Sequence, residues 1–475
     1  MSYHSPFSAR YGSKDMRAIW SEEAKRRGWR KVWVAVAEAQ TAAGLVTAAQ
    51  LDDLREHAQT INLRRAAEIE AEIGHDLMAE LKAFAEQCPT GGPILHWGMT
   101  SADVEDNVDV VRQQQALTLL LERLRRLLLL LASRIQATAD LPVLGYTHLQ
   151  PAEPTTLGYR LSTYGQELLR HFDALTDLRA ALRGKGIKGA VGTAASFADM
   201  LRGTPVTPEM LEATVMEALG IEAYPVTSQT YPRLQDYTLL SGLAGLAASL
   251  HKFAFDLRWM QSPAVGQAAE PFGEQQVGSS AMPFKRNPVK AEKICSLARL
   301  VAAHTAVAWE NAALSLLERT LDDSANRRII LPESFLACDE MLLCAIQIME
   351  GLEIEGLSAA SRLEEFGPTA ATERLLTALV RAGADRQAMH ARLRDHSMAA
   401  REAVLAGRPS ALADRLVADT TLLRYLQPAR IRDSLEASTY LGLAPDRARQ
   451  MAAAIMARLG DDESTAERSS VPSHD

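Results

Sequence analysis

Leu239-Leu240-Ser241-Gly242-Leu243-Ala244-Gly245-Leu246-Ala247-Ala248 is the stretch that decides the fold class of this 475-residue chain. It carries no charge and no β-branched side chain, and it is built from leucine and alanine, which favour helix. A helix that is apolar all round must be covered all round. Inside one monomer only a central bundle helix has that many neighbours. A subunit interface is the other solution, with glycine and alanine allowing close approach, and it favours an oligomer built on this bundle. The uncharged part, Tyr237 to Leu250, is shorter than the about 20 residues that a bilayer span requires, so no membrane helix is read here.

Working outward, the run extends over about Asp236 to Gln261, and similar runs appear at about Val108–Thr138, Thr155–Arg183, Val289–Leu317 and Pro332–Gly351. Helices of this length belong to bundles. Aromatic residues make up only 5%, and alternating strand patterns are scarce, so the class is all-α. Punctuation separates the runs. Asp140-Leu-Pro and Gly145 to Pro154 part the first from the second, and glycines from Gly184 to Gly203 mark an irregular stretch. A long loop runs from Pro263 to Pro288, and long loops in compact proteins tend to be functional. The expected division is an N-terminal helical domain over 1–110, a central long-helix bundle over 111–355, a small helical domain over 356–460 and a disordered tail over 461–475.

Lys and Arg number 51 against 59 Asp and Glu, a net charge of −8 that argues against sequence-independent nucleic-acid binding. Cations focused at one place still suit an anion. Apolar residues at 47% and charged residues at 23% are those of a folded, non-membrane protein. The cysteines, Cys88, Cys295, Cys338 and Cys344, lie far apart without a C-x-x-C, which argues against a disulfide framework and a cysteine zinc site. The start, Met-Ser-Tyr-His-Ser-Pro, is no secretory signal, and a cytoplasmic location is expected. Gly184-Lys-Gly186-Ile-Lys-Gly189 matches G-x-G-x-x-G literally, but a helical run precedes it where a dinucleotide fingerprint needs a strand.

Several segments have the residues for chemistry. Gly278-Ser279-Ser280-Ala281-Met282-Pro283-Phe284-Lys285-Arg286-Asn287-Pro288 reads as a flexible tip leading into a helix. Asn287 suits an N-cap and Pro288 the first helical position. The helix N-terminus, Lys285 and Arg286 would then form a pocket for a carboxylate. His148, in Tyr146-Thr147-His148-Leu149-Gln150-Pro151, reads as a helix-helix junction residue able to act as acid or base near neutral pH. Glu292, seven residues beyond Lys285, would orient that ring and stabilise its imidazolium if folded against it. Arg319-Thr-Leu-Asp-Asp-Ser324-Ala-Asn-Arg327-Arg328 suits a phosphate clamp or, equally, a loop of mutually paired Asp and Arg. Thr100 and Ser101 offer hydroxyls at a helix start. Arg10 and Tyr11 offer a cation and a hydroxyl, and His75-Asp76 is a polar pair in helical text.

Together these segments resemble the fumarase/aspartase superfamily of lyases, whose shared loop G-S-S-x-M-P-x-K-x-N is matched at every fixed position by Gly278 to Asn287. Within it, the adenylosuccinate lyase branch is most similar, through Arg10-Tyr11, His75-Asp76, the Thr-His-x-Gln-Pro at 147–151, Ser228-Gln229-Thr230-Tyr231 and Arg319 to Arg328. The resemblance implies three mostly helical domains, a long central bundle and a homotetramer with a twenty-helix core. Each active site would be shared by three subunits. It implies β-elimination of fumarate from adenylosuccinate, giving AMP, and from the succinylcarboxamide ribotide SAICAR, giving AICAR, in purine biosynthesis, with no metal and no cofactor.

By the same resemblance Ser279 is the general base, His148 the general acid and Glu292 its charge partner. Lys285 and Asn287 hold the succinyl carboxylates, and His75 is a second catalytic histidine, near the phosphate and the acid site. Arg10, Tyr11, Arg319, Ser324 and Arg328 bind nucleotide and phosphate. Thr100, Ser101, Thr147 and Gln229 contact the succinyl group and base, and Asp76 and Lys293 complete the substrate set. Gly74 and Lys293 stand where animal-type relatives carry arginine. The alternatives are another lyase of the superfamily, such as an argininosuccinate lyase, which has no use for a phosphate clamp, and an inactive structural relative, which would have lost His148, Ser279 or Lys285.

Overall fold

A computed structural model describes residues 3–408 and 410–469, with the side chains of 461–469 left aside. The elements that carry the site are, in chain order, α1 (Glu22–Ala42), α2 (Asp76–Gln87), α3 (Ser101–Ala137), strands β1 (Pro142–Thr147) and β2 (Gln150–Thr156), α4 (Leu157–Ala181), α5 (Leu234–Met260), α6 (Val289–Ala313), α7 (Asp322–Glu350) and α8 (Ala444–Ser469). The five long runs read from the sequence are α3, α4, α5, α6 and α7. Two of them begin earlier than expected. Ser101 opens α3, where the Asp103 carboxylate accepts the Thr100 N–H at 2.9 Å. Asp322 and Asp323 open α7, where negative charge suits the helix dipole. Pro332, expected at the start of that helix, lies inside it; lacking an N–H, it leaves the Arg328 carbonyl without its helical partner.

The all-α class holds with one exception of consequence. The segment read as a helix-helix junction is an antiparallel hairpin in which Thr147 pairs with Gln150 across the turn residues His148 and Leu149. A second, two-residue sheet joins Ala268–Ala269 to Glu353–Ile354. The last helix runs through Ser469, into the segment expected to be a disordered tail; 470–475 lie outside the described residues.

The chain groups into two compact units, each assembled from three segments. The first comprises Met1–Leu124, His171–His251 and Ile294–Leu343. Its core includes Leu117, Leu120, Leu239, Leu240, Leu243, Phe335 and Met341, all fully buried. Its N-terminal arm is held by α7: Gly12 N–H donates to Glu340 at 3.0 Å and Ser13 N–H to Asp339 at 2.6 Å. The second unit comprises Arg125–Arg170, Lys252–Lys293 and Cys344–Asp475. It contains a separate small core formed by Leu375, Leu379, Leu393, Leu416, Leu422 and Ile431.

The apolar stretch that fixed the fold class lies in α5. That helix extends past the uncharged segment at both ends, and at 27 residues it is long and apolar enough to cross a membrane by length and composition, which the shorter reading from the sequence did not expect. Buried helices of soluble proteins pass the same test. Its most apolar window is 44% buried within this chain. Phe255 and Trp259 near its end are exposed. The four cysteines are buried, and none is joined in a disulfide.

Candidate active site

A cavity of about 160 Å³ opens in the first unit. One face of α3 supplies Ala102, Glu105, Asp106, Asp109 and Arg112, spaced by three and four residues. Asp76, at the start of α2, and Arg319, Ser324 and Arg328, around the start of α7, enter from other sides. Asp76 and the three residues of the 319–328 segment, all named from the sequence, thus share one space.

A buried ionic frame holds this space open. Arg233 forms a two-pronged pair with Asp106 at 3.0 and 3.1 Å and reaches Asp323 at 2.6 Å. Asp323 in turn accepts from Arg319 at 2.6 Å. Arg327 donates to Asp236 and to the Tyr231 hydroxyl, both at 2.7 Å, and Tyr231 donates to Asp236 at 2.7 Å. Burial and neighbouring charge push the Tyr231 hydroxyl well above its ordinary range, so it remains a donor. Paired guanidinium and carboxylate forks of this kind fix geometry as well as charge. The sequence suggested a phosphate clamp or an internally paired loop for 319–328, and the structure shows the paired arrangement. Arg319 and Arg327 are tied into the frame, while Arg328 bonds Asp76 at 2.7 Å with half of its side chain exposed. Burial favours the neutral acid at Asp76, but Arg328 outweighs it and holds the carboxyl below its ordinary range. Arg233 and Asp236 were not singled out from the sequence, since neither belongs to a recognisable motif.

His75 caps α2 through its backbone, with its ring 3.8 Å from Asp76. Gly74 ends the preceding helix in the left-handed region at φ +68°, and its N–H bonds the Glu70 carbonyl at 2.8 Å. An arginine there would be strained, which is a local reason for the departure from animal-type relatives. Gln229 donates to the Ala190 carbonyl at 3.1 Å. Arg10 lies 5.9 Å from the Tyr11 ring on the exposed arm.

The Gly184–Gly189 segment is no dinucleotide loop. Its buried Lys185 pairs with the buried Asp103, which also accepts the Lys188 N–H at 3.0 Å and the Gly189 N–H at 3.1 Å. The anion held by this glycine loop is the chain's own carboxylate. Asp53, His57 and Cys88 lie close enough to share a metal ion. However, Asp53 accepts the N–H groups of Thr90 and Gly91, both at 2.8 Å, and the His57 ring faces the Asp53 carbonyl at 2.9 Å. Burial pushes the Cys88 thiol up to about 12, so these donors suit structure rather than a metal.

In the second unit, His148 sits exposed at the hairpin tip with φ +52°, and Leu149 follows at φ +60°. Two left-handed non-glycine residues in a two-residue turn are costly, and such strain gathers at functional sites. Thr147 is exposed beside them. The Gly278–Pro288 loop is pinned at its base, where the Asn287 side chain donates to the Gly278 carbonyl at 2.7 Å. A side chain at 278 would meet the Lys285 carbonyl at 1.9 Å, so only glycine allows this closure. The Ser279 hydroxyl accepts the N–H groups of Ala281 at 3.3 Å and Met282 at 3.1 Å. Hydrogen bonds of this kind favour an ionised oxygen. Lys285 is exposed nearby in sequence and has no ion pair among the described residues.

The start of α6 corrects the sequence reading. Asn287 does not cap it, and its N-terminus is no free anion site. The buried Glu270 accepts the N–H groups of Lys290 at 3.1 Å and Ala291 at 2.9 Å. A capping carboxylate twenty residues back in the preceding loop leaves no sequence signature. Glu292 is exposed and lies 3.7 Å from Arg258 within this chain. Lys293 lies on the same first turns.

A family model described as Lyase matches residues 6–302, and one described as Adenylosuccinate lyase C-terminus matches residues 368–451. The chain is 37% identical to adenylosuccinate lyase of Saccharomyces cerevisiae, over 94% of this chain and 93% of the yeast protein. It is 38% identical to that of Schistosoma mansoni, over 88% of each. Among solved structures, the fold is shared with the fumarate lyase of Mesorhizobium sp. BNC1, at TM-score 0.82 and 22% identity, covering 95% of this chain and all of that one. It is also shared with the 3-carboxy-cis,cis-muconate lactonizing enzyme of Pseudomonas putida, at TM-score 0.84 and 25% identity, covering 95% of this chain and 99% of that one. With an ionic cavity in one unit, a strained histidine turn and a serine loop in the other, and these likenesses along nearly its whole length, the chain belongs to the adenylosuccinate lyase family.

Proposed function

We propose that this lyase removes fumarate from adenylosuccinate, giving AMP, and from SAICAR, giving AICAR. The observation that carries the reading is the likeness along nearly the whole chain to adenylosuccinate lyases, joined to a cavity where Asp76, Arg319, Ser324 and Arg328 converge. That cavity would take the nucleotide phosphate, with Arg10 and Tyr11 from the arm. Ser279 would accept the proton from the carbon beside a succinyl carboxylate. Its electron pair forms the new C=C bond of fumarate, the C–N bond breaks, and His148 gives a proton to the departing nitrogen. Lys285 and Asn287 would hold the carboxylates and stabilise the carbanionic charge, most strongly once water is excluded. Thr100, Ser101, Thr147 and Gln229 would position the succinyl group and base.

The serine and the histidine are held on exposed loops of the second unit, and α5 keeps an apolar face uncovered. Both features support a homotetramer in which neighbouring subunits bring these loops to each cavity. They also support a Glu292 that meets His148 only between chains. Purified protein given adenylosuccinate should release fumarate and AMP in equal amounts, followed by absorbance and chromatography. Nucleotide binding without turnover would overturn the reading.

A further inference from the structure

The cavity contains a carboxyl that no sequence signal singles out. Of the acids on the cavity face of α3, Asp106 is paired with Arg233, and Asp109 lies 3.3 Å from Arg327 and 3.6 Å from Arg112. Across the cavity, Asp76 of α2 is held by Arg328, and Glu22 of α1 pairs with Lys25 at 2.8 Å. Glu105 alone among these lining acids has neither hydrogen bond nor ion pair among the described residues. Burial, reinforced by Asp76, Asp109 and Asp106, pushes its carboxyl up to about 8, against the opposing pull of Arg328. At neutral pH it is therefore mostly an un-ionised acid with an unused O–H, in the same space as Arg319, Ser324 and Arg328.

We propose that Glu105 is a ligand of the nucleotide phosphate, donating its carboxyl O–H to a phosphate oxygen beside Arg319, Ser324 and Arg328. The inference rests on reading this cavity as the nucleotide site. A bound dianion favours the protonated carboxyl further, so nucleotide binding above pH 8 draws one proton from solvent onto Glu105. The ionised form would instead repel the phosphate, and Glu105 becomes the residue that sets the alkaline limit of affinity. The groups facing it divide by element. The α1 residues Glu22 and Lys25 pair with each other. On α2 Asp76 is neutralised by Arg328, with His75 at the helix start. Arg233 precedes α5, while Arg319 and Arg327 belong to the α7 side, and all three are tied to aspartates. None of these paired groups offers an acid proton.

The test uses the full-length protein with AMP as probe and adenosine as the control without phosphate, in calorimetric titrations in buffers of different ionisation enthalpy. Wild-type affinity for AMP should fall about tenfold from pH 7 to pH 9, with uptake approaching one proton per AMP at pH 9. Glu105→Gln, which keeps a neutral donor of the same shape, should bind as wild type at pH 7, lose the pH dependence and take up no proton. Adenosine should show neither effect. Equal pH profiles in wild type and Glu105→Gln, with AMP bound, would overturn this proposal and leave the lyase reading standing. No AMP binding in any form would overturn this proposal and the reading of the cavity as the nucleotide site, while fumarate release from adenylosuccinate, measured separately, decides the lyase reading.

Discussion

The cavity of the first unit and the loops of the second treat their polar groups in opposite ways. Around the cavity, Arg233, Arg327, Asp106 and Asp236 are buried and saturated with partners fixed to about 3 Å. At the hairpin tip and in the Gly278–Pro288 loop, His148 and Lys285 are exposed, and Ser279 has only local backbone partners. A frame that recognises a constant group gains from rigidity. Groups that must move a proton and then release product gain from access and mobility. Charges buried in pairs resist change in either partner, whereas exposed reactive groups can be altered with little harm to the fold.

The largest expected effect tests the loop side. Ser279→Ala or His148→Ala should lower kcat by about 10²- to 10⁴-fold, the usual worth of a positioned acid or base, with AMP affinity unchanged. An equal loss of AMP affinity would break the contrast. On the frame side, Arg233→Met takes both guanidinium bonds from Asp106 and leaves Asp323 with Arg319, and breaking a buried pair costs about 3–5 kcal/mol. Urea unfolding followed by circular dichroism measures it, and a change near zero would show that the frame is not rigidly coupled to stability. Arg328→Ala sits between the two regimes, being paired yet half-exposed. It should raise KM by about 10- to 100-fold, the range for a lost charge-assisted hydrogen bond, and leave kcat within a few-fold.

The smallest effect concerns the small helical core of the second unit. There burial would raise the Asp419 carboxyl, but Arg392 at 2.5 Å, His396 at 2.7 Å and the Thr421 N–H at 2.8 Å hold it far below its ordinary range. A folded-state value lowered in this way contributes stability above the unfolded value of about 3.9, and the contribution fades as pH falls below it. Thermal unfolding of Asp419→Asn should therefore approach wild type below pH 3 and fall behind it at pH 7.

Much of the site was legible because the relevant residues come in dense local patterns. Ser279, Lys285 and Asn287 lie in one loop, and Arg319, Ser324 and Arg328 in one ten-residue segment. What escaped was dispersed. Glu270 reaches the start of α6 from twenty residues away, and Arg233 is a single arginine between two prolific segments. Glu105 reads as an ordinary helix surface acid until the cavity around it is known. The hairpin at His148 lacks the Asn-Gly turn that announces one, since its left-handed residues are histidine and leucine.

The sequence by itself determined the helical class, the five long helices and the lyase loop, because helix periodicity and turn chemistry act over a few neighbouring residues. Only the tertiary structure decided which charges neutralise each other, which carboxyl is left unpaired in the cavity, and that Glu292 faces Arg258 within this chain. Those outcomes depend on distances between residues hundreds of positions apart, and electrostatic energy follows distance in space, not separation along the chain.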